Sequence, residues 1–173
     1  MTGLIVGLIA VVSGAVLLYR RGAYYGRIFA PAHFWEVYST FMGLIEAERE
    51  AQRSGDELPR PGRAVTSAGL VLGVTYRSDG DDPALHISLS QQGRATTGAV
   101  ANRFGFFLLS AVNGNKLSLD PFFTGSGVHH LVFKGALAPL AVNDFDTTFD
   151  AYRSSYRPLP FALRAFDHPE SAQ

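Results

Sequence analysis

The chain has 173 residues, 15 basic and 15 acidic side chains, and no cysteine. That length leaves one soluble domain of about 140 residues once an apolar N-terminal run is set aside. Zero net charge argues against an electrostatic search for nucleic acid or for an anionic surface. The lack of cysteine removes disulfides, thiolate metal sites, iron–sulfur clusters and cysteine nucleophiles, and leaves the compartment open.

From Gly3 to Tyr19 no side chain is charged, and only Ser13 carries a polar group. As a helix this run covers roughly 25 Å; with Met1, Thr2 and snorkelling arginines at its edges it reaches across a hydrocarbon core of about 30 Å. A cleaved export signal would show a basic n-region and a small-x-small site, whereas here nothing basic precedes the run and Tyr19-Arg20-Arg21 follows it. The pattern predicts a retained transmembrane helix over residues 1–21, with an uncleaved signal or a buried soluble helix as the alternatives. Arg20, Arg21 and Arg27 flank the span, and no acidic residue appears until Glu36. Positive flanks stay cytoplasmic, which places the N-terminus outside and the following domain in the cytoplasm, in a single-pass layout. Tyr19, Tyr24 and Tyr25, with Phe29, read as an interfacial aromatic belt along a linker over 22–32, or else begin the core of the domain. Gly3, Gly7, Ala10 and Gly14 fall on one helical face, a small-residue stripe suited to close packing against another membrane helix.

An α+β domain is expected over 33–156. Pro31 opens a helix whose apolar positions, Phe34, Val37, Tyr38, Phe41, Met42, Leu44 and Ile45, recur at helical spacing until Arg53-Ser54-Gly55. Trp35 is read either as an interfacial anchor or as packing onto the domain. The stretch 54–63 reads as a loop on its Pro, Gly and charge content. Residues 64–78 read as one strand, Leu70, Leu72, Val74 and Tyr76 alternating with Gly69, Val71, Gly73 and Thr75. After a turn over 79–83, residues 84–91 form its antiparallel hairpin partner. The small residues on the second face of the first strand suggest close packing there, by the helix that carries Phe41. A second helix follows, capped by Thr96 or Thr97, with Val100, Phe104, Phe107, Leu108 and Val112 on its apolar face and Asn113-Gly114 ending it. Val128–Gly135 is a further strand. A short last helix, opened by Asn143 or Asp144, runs through Phe145, Phe149 and Tyr152. Residues 157–173 are proline-punctuated and extended, with Phe161, Leu163 and Phe166 as candidate partner contacts.

No motif fixes a chemistry. His129 and His130 are strand neighbours and point to opposite faces, so they do not chelate one ion without His86, Asp120 or another distant group. Ser126 lacks the spacing of a strained nucleophile elbow, and the glycine-rich phosphate loops are missing. Glu46, Glu48 and Glu50 splay around a helix and read as a solvated face. Asp79, Asp81 and Asp82 lack the closing glutamate of a calcium loop. Phe104, Phe106, Phe107, Phe122 and Phe123 read as core, with exposure of the 122–123 pair for a partner as the alternative. No catalytic residue, cofactor or metal is therefore expected.

The expected function is that of a non-catalytic accessory or assembly subunit of a larger membrane complex, for example photosynthetic or respiratory. Its partners are other membrane-protein subunits and the lipid bilayer. The layout is similar to that of the H subunit of photosynthetic reaction centres in the order of its parts alone, with no shared motif. The alternative is a membrane-tethered enzyme or ligand-binding domain with a pocket near His86, His129 and His130.

Overall fold

The computed structural model describes residues 2–55, 62–77, 83–92, 98–113, 122–124, 128–137 and 140–156, the side chains of 2–10, 113 and 122–124 excepted. The chain opens with helix α1 (Thr2–Ile28) and turns at once into helix α2 (Pro31–Ser54). The elbow between them is dictated by Pro31, which disfavours helical backbone in the residue before it. Ala30 accordingly sits at φ −66° and ψ 143°, and its carbonyl takes the first N–H groups of α2, from His33 and Phe34. Gly55, at φ 72°, closes α2 in the left-handed conformation that costs glycine little.

Beyond α2, five of the seven described strands build the main sheet: β1 (Gly62–Val65), β2 (Leu70–Arg77), β3 (Ala84–Gln91), β5 (Phe122–Thr124) and β6 (Val128–Lys134). They form one antiparallel sheet in the order β1-β2-β3-β6-β5. Helix α3 (Gly98–Ala111) lies between β3 and β6 in the chain and packs against helix α4 (Phe145–Ser155). A two-stranded pair, β4 (Val112–Asn113) with β7 (Ala141–Val142), joins the end of α3 to the start of α4. The domain is α+β, with helices and an antiparallel sheet sharing one core.

Period-two alternation decides which sheet face is buried. Leu70, Leu72 and Val74 stand beside Leu85, Ile87 and Leu89 and, across β3, Leu131 and Phe133, all within the core. Helices α2 and α3 cover this face through Phe34, Val37, Phe41, Ile45, Phe104, Phe107 and Leu108. Phe34 stands at the centre, its ring centroid 4.9 Å from Phe104, 5.0 Å from Phe107 and 5.1 Å from Tyr152. It thus ties α2 to α3 and α4.

Several expectations require correction. Residues 64–78 are not one strand. Thr66–Gly69 form a tight turn, with Gly69 at φ 81° and Thr66 N–H bonded to the Leu70 carbonyl at 2.8 Å, so β1 folds back on β2. The helix carrying Phe41 lies on the leucine face of β2, not on its small-residue face. Gly73 is small for another reason: a Cβ there would run into the Ser88 hydroxyl on β3. Glu48 is not solvated but 7% exposed, and one carboxylate oxygen accepts the Tyr76 N–H at 3.1 Å. Glu46 and Glu50 do lie in solvent, paired with Arg49 and Arg53. Val112 is buried but belongs to β4 rather than to the helix. Phe106 is exposed, against Phe104 and Phe107 in the core.

Asp144 caps α4, accepting from Thr147 N–H and its hydroxyl at 2.9 Å each. Those bonds hold its carboxyl below the usual carboxylate range. Asn143 instead bonds the end of α3, and its carbonyl accepts from the Tyr38 hydroxyl at 2.7 Å.

Among the described residues no helix is long and apolar enough to cross a membrane. The stretch from Val11 to Ile28 carries Arg20, Arg21 and Arg27. Helix α1 runs unbroken through the expected boundary at residue 21 and covers most of the expected linker 22–32. Gly3, Gly7 and Ala10 fall outside the described side chains, and Gly14 has no atom near its Cβ position. Thr96, Thr97, Asp120, Ser126, the turn 79–82 and the arm 157–173 with Phe161, Leu163 and Phe166 lie outside the described residues.

Candidate functional site

Two surfaces gather the residue types that carry function: the base of α1 and the outer face of the sheet. At the base of α1 the helix enters the core gradually. Ile28 is fully buried, and Tyr24, Tyr25 and Phe29 pack against the core cluster. These aromatics begin the core, while Tyr19 alone of the expected belt is fully in solvent. Rings run continuously from Tyr24 to Tyr25 to Phe29 to Phe104, at centroid distances of 5.3, 5.7 and 6.1 Å. Arg103 of α3 lies 4.2 Å over the Phe29 ring and 5.5 Å from that of Tyr156. This cation–π clasp fastens the elbow to α3.

A second lock joins the elbow to the β1–β2 turn. His33, 4% exposed, donates from Nδ1 to the Ile28 carbonyl at 2.6 Å, and its Nε2 meets the Thr66 hydroxyl at 2.8 Å. With the proton on Nδ1, Nε2 accepts from Thr66, whose oxygen in turn accepts the Leu70 N–H at 3.1 Å. Three chain segments meet in one satisfied buried network. One helical turn on, the Glu36 carboxylate accepts the Ser67 N–H and hydroxyl, both at 2.6 Å. Burial pushes the Glu36 carboxyl up, but the two Ser67 bonds outweigh it and hold it below its ordinary range.

Beside this lock α1 bounds two adjoining hollows that share Tyr24, Arg27 and Gln91. The smaller holds about 170 Å³ and is closed by Ser67, Ala68, Gly69 and Gln92. The larger, about 560 Å³, opens along Tyr19, Arg20, Arg21 and Tyr25. Arg21 reaches the Tyr25 ring at 5.8 Å. Among the described residues no carboxylate pairs with Arg20, Arg21 or Arg27, and the ion pairs lie farther along α2. Among their lining residues the larger hollow carries three guanidinium groups and the smaller one, and neither carries a carboxylate. Sequence reasoning placed the arginines and tyrosines at a membrane interface but missed the opposite wall, because Ser67 and Gln91 reach α1 only through the fold. Trp35 packs onto the domain, its ring 4.8 Å from Phe145 and 6.0 Å from Tyr38, and stays half in solvent.

On the outer face of the sheet, His86 pairs with Thr75 and Val132, and His130 pairs with Ser88, so the two histidines are diagonal neighbours. Burial, then Arg77, then His130 push the His86 imidazole below its usual pKa. His129, opposite Leu89, belongs to the other face. The three histidines do not converge, and among the described residues no cluster of His, Asp or Glu is arranged to hold a metal.

Comparison with protein-family models, curated proteins and solved structures finds no match for this chain. Function has to be argued from these surfaces alone.

Proposed function

We propose that the chain is a single-pass membrane protein whose cytoplasmic α+β domain and helix α1 serve as an accessory subunit of a larger membrane complex. One observation carries the reading. Val11, Leu17, Leu18 and Tyr19 are 71%, 67%, 72% and 78% exposed, and Val12 and Val16 are exposed as well. An apolar helix surface with nothing of its own domain upon it calls for lipid or another protein. The helix has the length for it: 27 residues rise about 40 Å, enough for a hydrocarbon core of about 30 Å with its arginine-bearing base in the headgroups. Arg20, Arg21 and Arg27 hold the domain on the cytoplasmic side by the positive-inside rule. The stripe Gly3, Gly7, Ala10 and Gly14 supplies the close-packing face for a partner helix. The alternative, an enzymatic or ligand-binding domain around His86, His129 and His130, has less support, because those histidines divide between the two faces of the sheet.

The test is membrane isolation from cells producing the full chain, an alkaline carbonate wash, then native electrophoresis in mild detergent. The chain should stay in the washed pellet and migrate with a large assembly. Release by carbonate would remove the anchor, and migration as a lone species would remove the subunit role.

A further inference from the structure

A formal charge of zero hides a separation of charge along the molecule. Apart from Glu36, the described carboxylates stand on the second half of α2 (Glu46, Glu48 and Glu50) or on α4 and its cap (Asp144, Asp146 and Asp150). Glu46 is about 22 Å along α2 from the elbow at Pro31. The junction of α1 with the domain carries cations instead. At about 100° of turn per residue, Arg20 and Arg27 share one side of α1, Arg21 stands about 100° round from Arg20, and Phe29 lies opposite Arg20. Phe29 keeps the helical phase, because its N–H still bonds the Tyr25 carbonyl at 3.0 Å. Arg103 of α3 lies over the Phe29 ring at 4.2 Å. Four guanidinium groups from two helices therefore surround the base of α1. Among the described residues no carboxylate is paired with any of them. Glu36 is near the elbow, but both its oxygens are turned to Ser67. Arg20, Arg21 and Arg27 are exposed. Arg103 is half-buried, and its contact with the Phe29 and Tyr156 rings engages the face of the guanidinium, which leaves N–H groups at the edge for an oxyanion.

We propose that these four arginines form a collar that binds the surface of an anionic bilayer, holding the domain against it by charge rather than by headgroup structure. The inference rests on the membrane-anchored reading above, in which the apolar run ends at Tyr19. Arg20 and Arg21 then lie within the 5–8 Å or so of headgroups flanking the hydrocarbon core. Arg27 is about 12 Å and Phe29 about 15 Å beyond Tyr19 along the axis. Arg27 and Arg103 thus stand within about one Debye length, roughly 8–10 Å, of the headgroup layer. The arrangement also decides the class of partner. A neighbouring protein helix packs on one side of α1, whereas a bilayer surface surrounds the helix on every side, as the guanidinium groups do. The order of the sequence beside the apolar run supplies three of these charges, and only the fold brings the fourth, from α3.

The test uses the full chain reconstituted in phosphatidylcholine bilayers with a trace of spin-labelled phosphatidylglycerol, phosphatidylserine or phosphatidylcholine. Electron paramagnetic resonance reads the fraction of each label immobilised at the protein. Wild type should prefer both anionic lipids to phosphatidylcholine, to the same degree and roughly fivefold, the effect of one arginine near such a surface. In 1 M salt, where the Debye length falls to about 3 Å, most of the preference should vanish. Arg103→Gln should reduce it about twofold, since that charge stands about a Debye length off, and Arg103→Lys, which keeps the charge, should retain it. Where Arg103→Gln fails to fold, Arg103→Met keeps a long side chain on the two rings without the charge and should show the same reduction. Equal immobilisation of anionic and neutral lipids by wild type, a preference for one anionic headgroup over the other, or an unchanged preference in the neutral Arg103 variant overturns the proposal. Failure of the anchor is separately visible as chain released by the carbonate wash. Chain so released and returned to neutral pH should still sediment with phosphatidylglycerol vesicles and not with phosphatidylcholine vesicles, and failure to do so overturns the collar in that case.

Discussion

Replacing Thr66 by valine removes one oxygen and keeps the shape of the side chain, so it isolates the network that fixes the α1–α2 elbow to the sheet. That hydroxyl holds His33 Nε2 at 2.8 Å and accepts the Leu70 N–H at 3.1 Å, and both Thr66 and His33 are 4% exposed. Thr66→Val leaves an imidazole nitrogen and a backbone N–H buried without partners. Each such orphan costs about 1–3 kcal/mol. The added methyl returns about 0.8 kcal/mol of burial. The net loss should be about 1–5 kcal/mol, a large share of the 5–15 kcal/mol or so that holds a typical domain folded. Urea unfolding in mild detergent, followed by the fluorescence of the single tryptophan, Trp35, measures it, because the ring lies on α2 against Phe145. The slope of the transition should be unchanged while its midpoint falls. Amide exchange at Leu70 should accelerate beyond what the global loss explains, since its side-chain acceptor is gone. A loss below about 1 kcal/mol with unaltered exchange at Leu70 would refute the reasoning and mean that water replaces the hydroxyl at no cost.

Phe34→Ala empties the centre of the ring cluster joining three helices and should cost about 3–5 kcal/mol by urea titration; Phe106→Ala, at an exposed ring, should cost less than about 1 kcal/mol, and equal losses would contradict the placement of the core. The depressed carboxyls of Glu36 and Asp144 add stability that is fully present above the ordinary carboxylate range and is lost as pH falls through their lower folded-state values. Glu36→Gln should therefore flatten the decline in the denaturation midpoint between neutral and strongly acid pH, and an unchanged decline would remove Glu36 from the account. The His86 imidazole is also held below its usual value, so the fold should lose stability as pH falls below about 6.5, the unfolded-state value; His86→Gln should abolish that step. In the membrane, Gly7→Leu with Gly14→Leu should leave the chain in the carbonate-washed pellet but free of its partners, whereas co-migration at wild-type yield would reduce α1 to an anchor. Protease added to intact spheroplasts should leave the domain whole, and digestion without lysis would reverse its assigned side.

Much of the secondary structure was legible because local rules govern it. Pro31 and Gly55 bound α2, the alternation of Leu70–Tyr76 and Leu85–Leu89 marks a hairpin, and Asp144 caps the last helix. These signals act within a few residues, through backbone sterics and short-range hydrogen bonds. The opposite orientation of His129 and His130 likewise follows from the pleat alone. The misreadings have a common cause: each concerned a group whose partner lies far along the chain. Glu48 looked solvated because its neighbours Glu46 and Glu50 are, yet the Tyr76 N–H, 28 positions on, draws it inside. Thr66–Gly69 looked like more strand because nothing local announced a turn strong enough to break the alternation. What holds that turn is His33 and Glu36, more than thirty positions upstream. The base of α1 shows the same division. Its arginines and tyrosines stand out in the sequence through their order beside an apolar run. The wall opposite them does not, because Ser67 and Gln91 come to face Arg27 only when the sheet folds beneath the elbow, and a contact between segments that far apart leaves no trace in any short stretch of sequence.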